Sequence, residues 1–350
     1  MFPLTLPHIY CLLLFITAGN SRATFDVGSS VSIPFEYITK ISVGNTDVSN
    51  SKNSFFLEIN DFNNDAYTTL DIPFATIDAV PNLCKITSKI EGWRQLKSEA
   101  DVDAINCIIS GRKTGRMFRS PSFDIYFPSK NRNGTQPVLL FIPGAGVDHS
   151  AYSTVADKMS RDHSIIVVVI SLEPFRMAAT ELLEMGTILH AVKTVELLWN
   201  ERCQSDDYNL DFSLGGHSYG AYASMRIAPS LASYLRGNST KSLKLILWAF
   251  GSYPQYFTDL SSYENIESQV ILGSNDGIVV FDNDDSWDLF RSILPPKSRI
   301  HYIKGGNHCN FASYNVPRPF IEMNGSPDIS KELQQELAIN HTVAFLLQKR

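Results

Sequence analysis

From Phe123 onward, apolar runs of strand length alternate with segments that have the apolar spacing of helices. The strand-like runs are FDIYF (123–127), PVLLFIP (137–143), SIIVVVISL (164–172), LDFSLGG (210–216), LKLILWAF (243–250), QVILGS (269–274) and RIHYIKGG (299–306). The helical segments are 151–161, 177–201 and 329–349. Continuously apolar strands are typical of sheets covered on both faces. Their alternation with helices predicts an α/β fold with a mostly parallel sheet flanked by helices.

The preceding segment, residues 24–118, has a different character. It is rich in Ser, Asn, Asp and Thr and contains short apolar runs such as SFFLEI and LDIPFATI. This pattern predicts short antiparallel strands. The chain of 350 residues, 44% of them hydrophobic, can bury one large core or two domains at most. We therefore expect an N-terminal β-rich extension over 24–118 and one α/β domain over 119–350.

The N-terminus has the pattern of a secretory signal peptide over residues 1–23. An apolar stretch from Ile9 to Ala18 is followed by small residues, which suggest cleavage near Gly19 or Ala23. The apolar run is shorter than the ~20 residues that span a bilayer. No Lys or Arg precedes it, so a signal anchor is the alternative. The expected location is outside the cell or in the lumen of the secretory pathway, with no stable membrane span after cleavage.

Cysteines and sequons agree with export. After removal of Cys11, four cysteines remain, which can pair in three ways; we expect a Cys84–Cys107 bridge, leaving Cys203 and Cys309, and free buried thiols are the alternative. The Asn-X-Ser/Thr sequons, which would make the chain a glycoprotein, begin at Asn133, Asn238, Asn324 and Asn340.

Charge and motif content exclude several function classes. The net charge is −6 and no stripe of Lys or Arg is present, so the sequence predicts no nucleic-acid partner. Neither a CxxC motif nor a Cys/His cluster suggests a metal. We expect no cofactor.

Gly216-His217-Ser218-Tyr219-Gly220 matches the pattern G-x-S-x-G between a predicted strand and a run of small residues. In such a strand-to-helix turn the serine adopts strained backbone angles and its hydroxyl is exposed above the sheet edge. The flanking glycines allow strand and helix to approach closely. Ser218 is therefore the candidate nucleophile.

A nucleophilic serine needs a base, and the base needs an acid to orient it. In this architecture both follow the serine, acid first, in loops after later strands. Asp276 and His308 occupy those places, so they are the candidate acid and base. Alternative acids are Asp282, Asp284, Asp285 and Asp288, and the other histidines considered are His149, His163, His190, His217, His301 and His341.

An oxyanion hole needs two backbone N–H groups. The residue after the nucleophile, Tyr219, supplies one, and a loop after an earlier strand supplies the other. Ala145, in the loop Pro143-Gly144-Ala145-Gly146, is the candidate for the second donor, and Gly144 is the alternative. This loop lacks the Lys-Ser/Thr of a phosphate-binding P-loop.

The segments PGAGVDHSAYSTVADKMS, GGHSYGAYAS, GSNDG and GGNHCNFASY, with the tail ISKELQQELAINHTVAFL, together resemble the α/β-hydrolase superfamily, specifically its fold-5 branch. The resemblance covers residues 135–350. It implies a serine hydrolase with Ser218, Asp276 and His308 as nucleophile, acid and base. Pro143 departs from the superfamily pattern, since histidine often stands there. The resemblance names no substrate.

The expected function is hydrolysis of an acyl bond, with a carboxylic ester of a small or lipid-like substrate favoured, through a covalent acyl-enzyme. Residues 251–268 are too few for a full cap domain, so we expect an open site, with Tyr253, Tyr256 and Phe257 as candidate pocket residues or plain packing. The alternatives are a catalytically silent binding or adhesion protein on the same scaffold, and an acyltransferase.

Overall fold

The computed structural model describes five strands between residues 24 and 73, as backbone, and most of residues 98–348. The gaps within the second part are 131, 133, 173–180, 204–208, 237–241, 252–256, 282–283, 317–320 and 322. The chain divides into two units, Met1–Gly92 and Trp93–Arg350. The predicted signal peptide (1–23) lies outside the described residues, as do Cys84, Asn133, Asn238, Tyr253, Tyr256 and Asp282.

The described part of the first unit consists of short antiparallel strands. Strands β1 (Thr24–Asp26) and β2 (Ser32–Pro34) pair with each other. Strands β3 (Ile38–Asn45), β4 (Asn53–Asp61) and β5 (Ala66–Pro73) form a separate three-stranded sheet. The predicted β-rich N-terminal region is therefore present.

The second unit is built on a mostly parallel eight-stranded sheet in the order β13-β12-β11-β10-β8-β9-β7-β6. The strands are β6 (Met117–Arg119), β7 (Phe123–Tyr126), β8 (Thr135–Ile142), β9 (Ile166–Ile170), β10 (Asn209–His217), β11 (Leu243–Trp248), β12 (Ile266–Gly273) and β13 (Lys297–Ile303). Only β7 runs against the others, since it pairs antiparallel with both β9 and β6. The carboxyl ends of β8 and β10 to β13 therefore meet at one edge.

Helices cover both faces of this sheet. They are α1 (Val102–Lys113), α2 (Ser153–His163), α3 (Glu181–Cys203), α4 (Tyr219–Arg236), α5 (Asp284–Ser292) and α6 (Lys331–Leu346). Side chains alternate along each strand, so Leu140 of β8 joins the core under α3, α4 and α5, while Phe141 joins the core under α1, α2 and α6. Buried Lys244 donates to the carbonyls of Leu346 and Gln348 and so satisfies the carboxyl end of α6.

The boundary between the units lies earlier in the chain than the sequence predicts. The sequence predicts that residues 98–118 belong to the β-rich extension, but they contain helix α1 and part of β6, which belong to the α/β unit. The side chain of Asp101 caps α1 by accepting from Ala104 N, and Ser153 of α2 donates to the carbonyl of Ala104. This segment therefore packs as part of the sheet's helical layer.

The disulfide prediction is wrong for the cysteines that the structure describes. Cys107, Cys203 and Cys309 form no disulfide, so neither the expected Cys84–Cys107 bridge nor a bridge between the two remaining cysteines is present. Cys203 ends α3 and packs against the core on one face of the sheet, whereas buried Cys309 adjoins Phe311 in the core of the opposite face. Two cysteines on opposite faces of a sheet cannot be bridged.

The two described sequons differ in accessibility. Asn324 is buried and its Oδ1 accepts from Cys309 N at 2.8 Å, whereas Asn340 is exposed on α6. A glycan on Asn324 is incompatible with this packing. Among the described residues, no helix is long and apolar enough to cross a membrane.

Candidate active site

The stretch around Ser218 forms a sharp turn between β10 and α4. Ser218 has φ +54°, a left-handed conformation that a residue with a Cβ adopts only at some cost. Its N–H donates to the carbonyl of Trp248 at 2.8 Å, and its own carbonyl accepts from Ala221 N at 2.9 Å. The neighbouring structure thereby holds the strained residue at the sheet edge, where its side chain is half-buried.

The two glycines of the turn are required by close backbone contacts. A Cβ on Gly216 would overlap the carbonyl of Gly220, and a Cβ on Gly220 would overlap the carbonyls of Ile142 and Pro143. Helix α4 thus approaches both its own strand and β8 as closely as backbone atoms allow.

The structure brings Ser218, His308 and Asp276 together in a hydrogen-bonded chain. Ser218 Oγ lies 2.8 Å from His308 Nε2, and His308 Nδ1 lies 2.8 Å from Asp276 Oδ2. Because a carboxylate only accepts, Nδ1 carries the proton and Nε2 is left to accept from the serine hydroxyl. Asp276 Oδ1 accepts from Ile278 N (2.9 Å) and Val279 N (2.7 Å), which fixes the carboxylate. Asp276 and His308 are both buried.

Each member follows the carboxyl end of a strand. Ser218 follows β10, Asp276 lies three residues after β12, and His308 lies five residues after β13. The parallel register of these strands brings the three loops to one edge, as the sequence predicts.

Apart from His217, which directly precedes Ser218, the alternative acids and bases that the structure describes lie elsewhere. Asp284, Asp285 and Asp288 belong to α5. His301 stacks on His341 with ring centroids 4.4 Å apart, while His149 lies 3.4 Å from Asp124. His163 ends α2, and His190 contacts Phe123 from α3.

The loop after β8 discriminates between the two candidate oxyanion donors. Gly144 N donates to Tyr152 Oη at 2.9 Å, so this amide is already engaged. In the described part of the chain, no hydrogen bond engages the amide of Ala145. Tyr219, the residue after the nucleophile, is the first residue of α4. The geometry therefore favours Ala145 over Gly144 as the second candidate.

Two side chains that the sequence analysis does not place at the site hold the loop of His308. Gln334 of α6, fully buried, accepts from Asn307 N at 2.9 Å and donates to Asn307 O at 2.7 Å. Asn324 accepts from Cys309 N through Oδ1, and its backbone carbonyl accepts from Gly277 N at 3.2 Å. Asn324 thereby connects the acid loop to the base loop. The sequon marks Asn324 only for glycosylation, and no local pattern assigns either residue to the site.

A short extended segment before α1 also contacts two of the site's loops. Ser98 pairs with the loop after β8, donating to Gly146 O at 2.8 Å. Asp101 N donates to Ser313 O at 3.0 Å, beyond His308. The Asp101 carboxylate accepts from Lys331 Nζ, at the start of α6, at 2.6 Å. We call residues 98–101 the strap.

The candidate pocket residue that can be placed, Phe257, packs among other aromatic rings. Its ring centroid lies 5.5 Å from that of Phe250, 6.0 Å from Tyr222 and 6.1 Å from Phe290. This favours plain packing for Phe257. Only seventeen residues separate β11 from β12, which is too few for a large cap domain. Among the residues placed by the structure, no group of three or more His, Cys, Asp or Glu side chains could hold a metal ion.

The strand order, with one antiparallel strand near the edge and a serine turn after the fifth strand, defines the α/β-hydrolase fold. Residues 138–320, more than half of the chain, match the alpha/beta hydrolase family. The chain belongs to this family.

Several solved structures are similar to this chain at low identity and with TM-scores below 0.5. An esterase from Pyrobaculum calidifontis is 14% identical with a TM-score of 0.44, over 76% of this chain and 97% of its own. EstE1, a thermophilic carboxylesterase cloned from a metagenomic library, is 14% identical with a TM-score of 0.40, over 67% and 89%. A dienelactone hydrolase-like promiscuous phosphotriesterase from metagenomic libraries is 12% identical with a TM-score of 0.38, over 64% and 90%. No curated protein matches the chain.

Proposed function

We propose that this chain is a serine hydrolase that cleaves an acyl bond through Ser218, His308 and Asp276. A carboxylic ester is the favoured substrate. The observation that carries the proposal is the pair of 2.8 Å hydrogen bonds joining the three side chains. Membership of the alpha/beta hydrolase family supports hydrolase activity. The half-buried position of Ser218 agrees with access for a substrate carbonyl.

In the proposed reaction His308 Nε2 takes the proton of Ser218 as Oγ attacks the carbonyl carbon. Asp276 keeps the imidazole oriented and stabilises its cation. The N–H groups of Tyr219 and Ala145 bind the developing oxyanion. The protonated His308 then donates its proton to the leaving group, and an acyl group remains on Ser218. Water, deprotonated by His308, attacks this acyl-enzyme and releases the acid.

The proposal is tested with p-nitrophenyl esters of increasing acyl length. We expect a burst of p-nitrophenol followed by slower turnover, because acylation and deacylation are separate steps. Ser218→Ala and His308→Gln should lower kcat about 10³-fold or more. An alanine variant that keeps wild-type turnover would overturn the proposal. Adding an alcohol that competes with water distinguishes hydrolysis from acyl transfer.

We also propose that the protein enters the secretory pathway. The pattern of residues 1–23 supports this, and the exposed sequon at Asn340 agrees with it. N-terminal sequencing of protein collected from the medium of a eukaryotic host should give a start near residue 20 or 24. Retention of residues 1–23 in a membrane fraction would instead support the signal anchor.

A further inference from the structure

Three loops of the candidate site meet at one buried histidine that the proposed reaction does not use. His217, beside the nucleophile, is 1% exposed. Its Nδ1 lies 2.7 Å from Tyr152 Oη, and its Nε2 lies 3.0 Å from the carbonyl oxygen of His308. Tyr152 Oη in turn accepts from Gly144 N, the amide next to the candidate oxyanion donor. One chain of hydrogen bonds therefore connects the oxyanion loop, the serine turn and the base loop.

The direction of each hydrogen bond follows from its partners. Since the Tyr152 oxygen accepts from Gly144 N–H, its own hydrogen is directed at His217 Nδ1, which accepts. The remaining proton of a neutral imidazole then sits on Nε2 and is donated to the carbonyl of His308. The opposite tautomer would place an Nε2 lone pair against a carbonyl lone pair. The chain thus has one consistent arrangement.

Burial keeps this arrangement in one protonation state. Desolvation lowers the pKa of His217 well below its usual range, and the nearby His308 ring, with its centroid 5.0 Å away, lowers it further. Desolvation also raises the pKa of Tyr152. Both groups therefore remain neutral at neutral pH.

The site requires hydrogen-bonding groups at positions 152 and 217, and not only side chains of the right volume. Phenylalanine would occupy the volume of Tyr152, and an apolar side chain would occupy that of His217, yet neither would satisfy the amide of Gly144 or the carbonyl of His308. The packing is also tight, because a Cβ on Gly144 would lie 3.0 Å from His217 Nδ1.

We propose that Tyr152 and His217 form a positioning pair, which holds the oxyanion loop and the main chain of His308 at fixed places relative to Ser218. This inference rests on the proposed function. The pair makes its hydrogen bonds to main-chain groups of Gly144 and His308 and not to the Ser218 hydroxyl or the ring nitrogens of His308. It acts through Gly144, which precedes Ala145, and through the backbone of His308, which sets where Nε2 meets the serine. Small displacements of such groups are costly, since a shift of about 1 Å can lower a rate about 100-fold.

The test uses Tyr152→Phe and His217→Gln, singly and together, in the full chain. The amide of Gln reaches the position of Nε2 and preserves the donor to His308, but it no longer accepts from Tyr152. Active sites are titrated with a fluorophosphonate that labels Ser218, so turnover is expressed per competent site and losses of folded protein cancel. Tyr234→Phe, an exposed tyrosine on α4, is the matched control.

We expect Tyr152→Phe to lower kcat per labelled site about 10-fold with KM within twofold of wild type. Because His217→Gln removes only the hydrogen bond with Tyr152, which Tyr152→Phe has already broken, the double variant should be no slower than Tyr152→Phe, whereas independent effects would multiply. His217→Asn keeps the acceptor for Tyr152 and loses the donor to His308. Since this breaks the connection at its other end, a comparable loss of kcat is expected.

Wild-type turnover per labelled site in both Tyr152→Phe and His217→Gln would overturn the positioning role while leaving the proposed function intact. Multiplying losses in the double variant would overturn it as well. A wild-type protein that is not labelled at Ser218 would overturn the proposed function, and the positioning role with it.

Discussion

The serine turn and the base loop lie side by side, but they are held by different means. The turn is held by local backbone contacts, in which glycines at 216 and 220 let strand and helix touch. The base loop depends on side chains distant in the sequence, including Gln334 and Asn324. The turn therefore tolerates no added atom, whereas the base loop should weaken in steps as single partners are removed.

The largest loss of stability is expected for a substitution at Gly220, in the serine turn. Gly220→Ala should destabilise the α/β unit by more than the ~1–3 kcal/mol of ordinary overpacking, because the new methyl meets backbone and not flexible side chains. Guanidinium denaturation followed by tryptophan fluorescence measures this, since all four tryptophans lie in the second unit.

The matched control is Gly186→Ala, at an exposed position of α3 where a Cβ meets nothing. It should be neutral or should stabilise by up to about 1 kcal/mol. Equal stability of the two alanine variants would show that the turn is not held by steric fit.

In the base loop, Asn324→Ala should cost about 1–3 kcal/mol of unfolding free energy, because it leaves the buried amide of Cys309 without its acceptor. Turnover should fall too, since the same residue spans the acid and base loops. Asn340→Ala, at the exposed sequon on α6, should change neither quantity. If both variants behaved alike, the base loop would not depend on this distant contact.

His217, in the serine turn, should make the unfolding free energy depend on pH. His217 has a lowered pKa in the folded chain, so below about pH 6.5 the unfolded chain binds a proton that the folded chain does not. The unfolding free energy should then fall, as pH drops, by up to about 1.4 kcal/mol per pH unit for this group. Above about pH 6.5, His217 contributes nothing to the change of unfolding free energy with pH.

Denaturation curves between pH 7.5 and pH 5 measure this slope. His217→Gln removes the group and should flatten it. His301, whose pKa is also lowered by desolvation, contributes in the same direction and remains in both proteins. An unchanged slope in the variant would contradict the assignment of a neutral, buried His217.

The smallest effect is expected at the strap. The Asp101–Lys331 ion pair is partly exposed, so Lys331→Ala should cost about 0.2–1 kcal/mol, and less at high salt. The strap's backbone hydrogen bonds remain in this variant, and kcat should stay within twofold. A larger loss of activity would show that the ion pair, and not the backbone, sets the strap's position.

The sequence predicts what depends on local pattern. Apolar runs place the strands, and the glycines around Ser218 mark the turn. The order of Asp276 and His308 along the chain follows the order of parallel strands. Helix α1 had a local signal as well, with Asp101 as cap and Ile105 and Ile108 in helical spacing, but the polar composition around it favoured strands.

The side chains that hold the loops of the site in place could not be predicted in the same way. Tyr152, Asn324 and Gln334 contact the site through pairings with residues 8 to 65 positions away, and only the folded chain brings these partners together. Cys203 and Cys309 show the same limit, because the sequence allows a bridge between them that their positions on opposite faces of the sheet forbid.

Covalent labelling tests the central claim most directly. The full chain and its Ser218→Ala variant, each first shown to be folded by circular dichroism, are treated with a fluorophosphonate and digested, and the modified peptide is identified by mass spectrometry. An activated Ser218 should carry the phosphonyl group, and the variant should carry none. A folded wild-type protein that stays unmodified, or a variant that is modified equally at another residue, would contradict the assignment of Ser218 as the nucleophile.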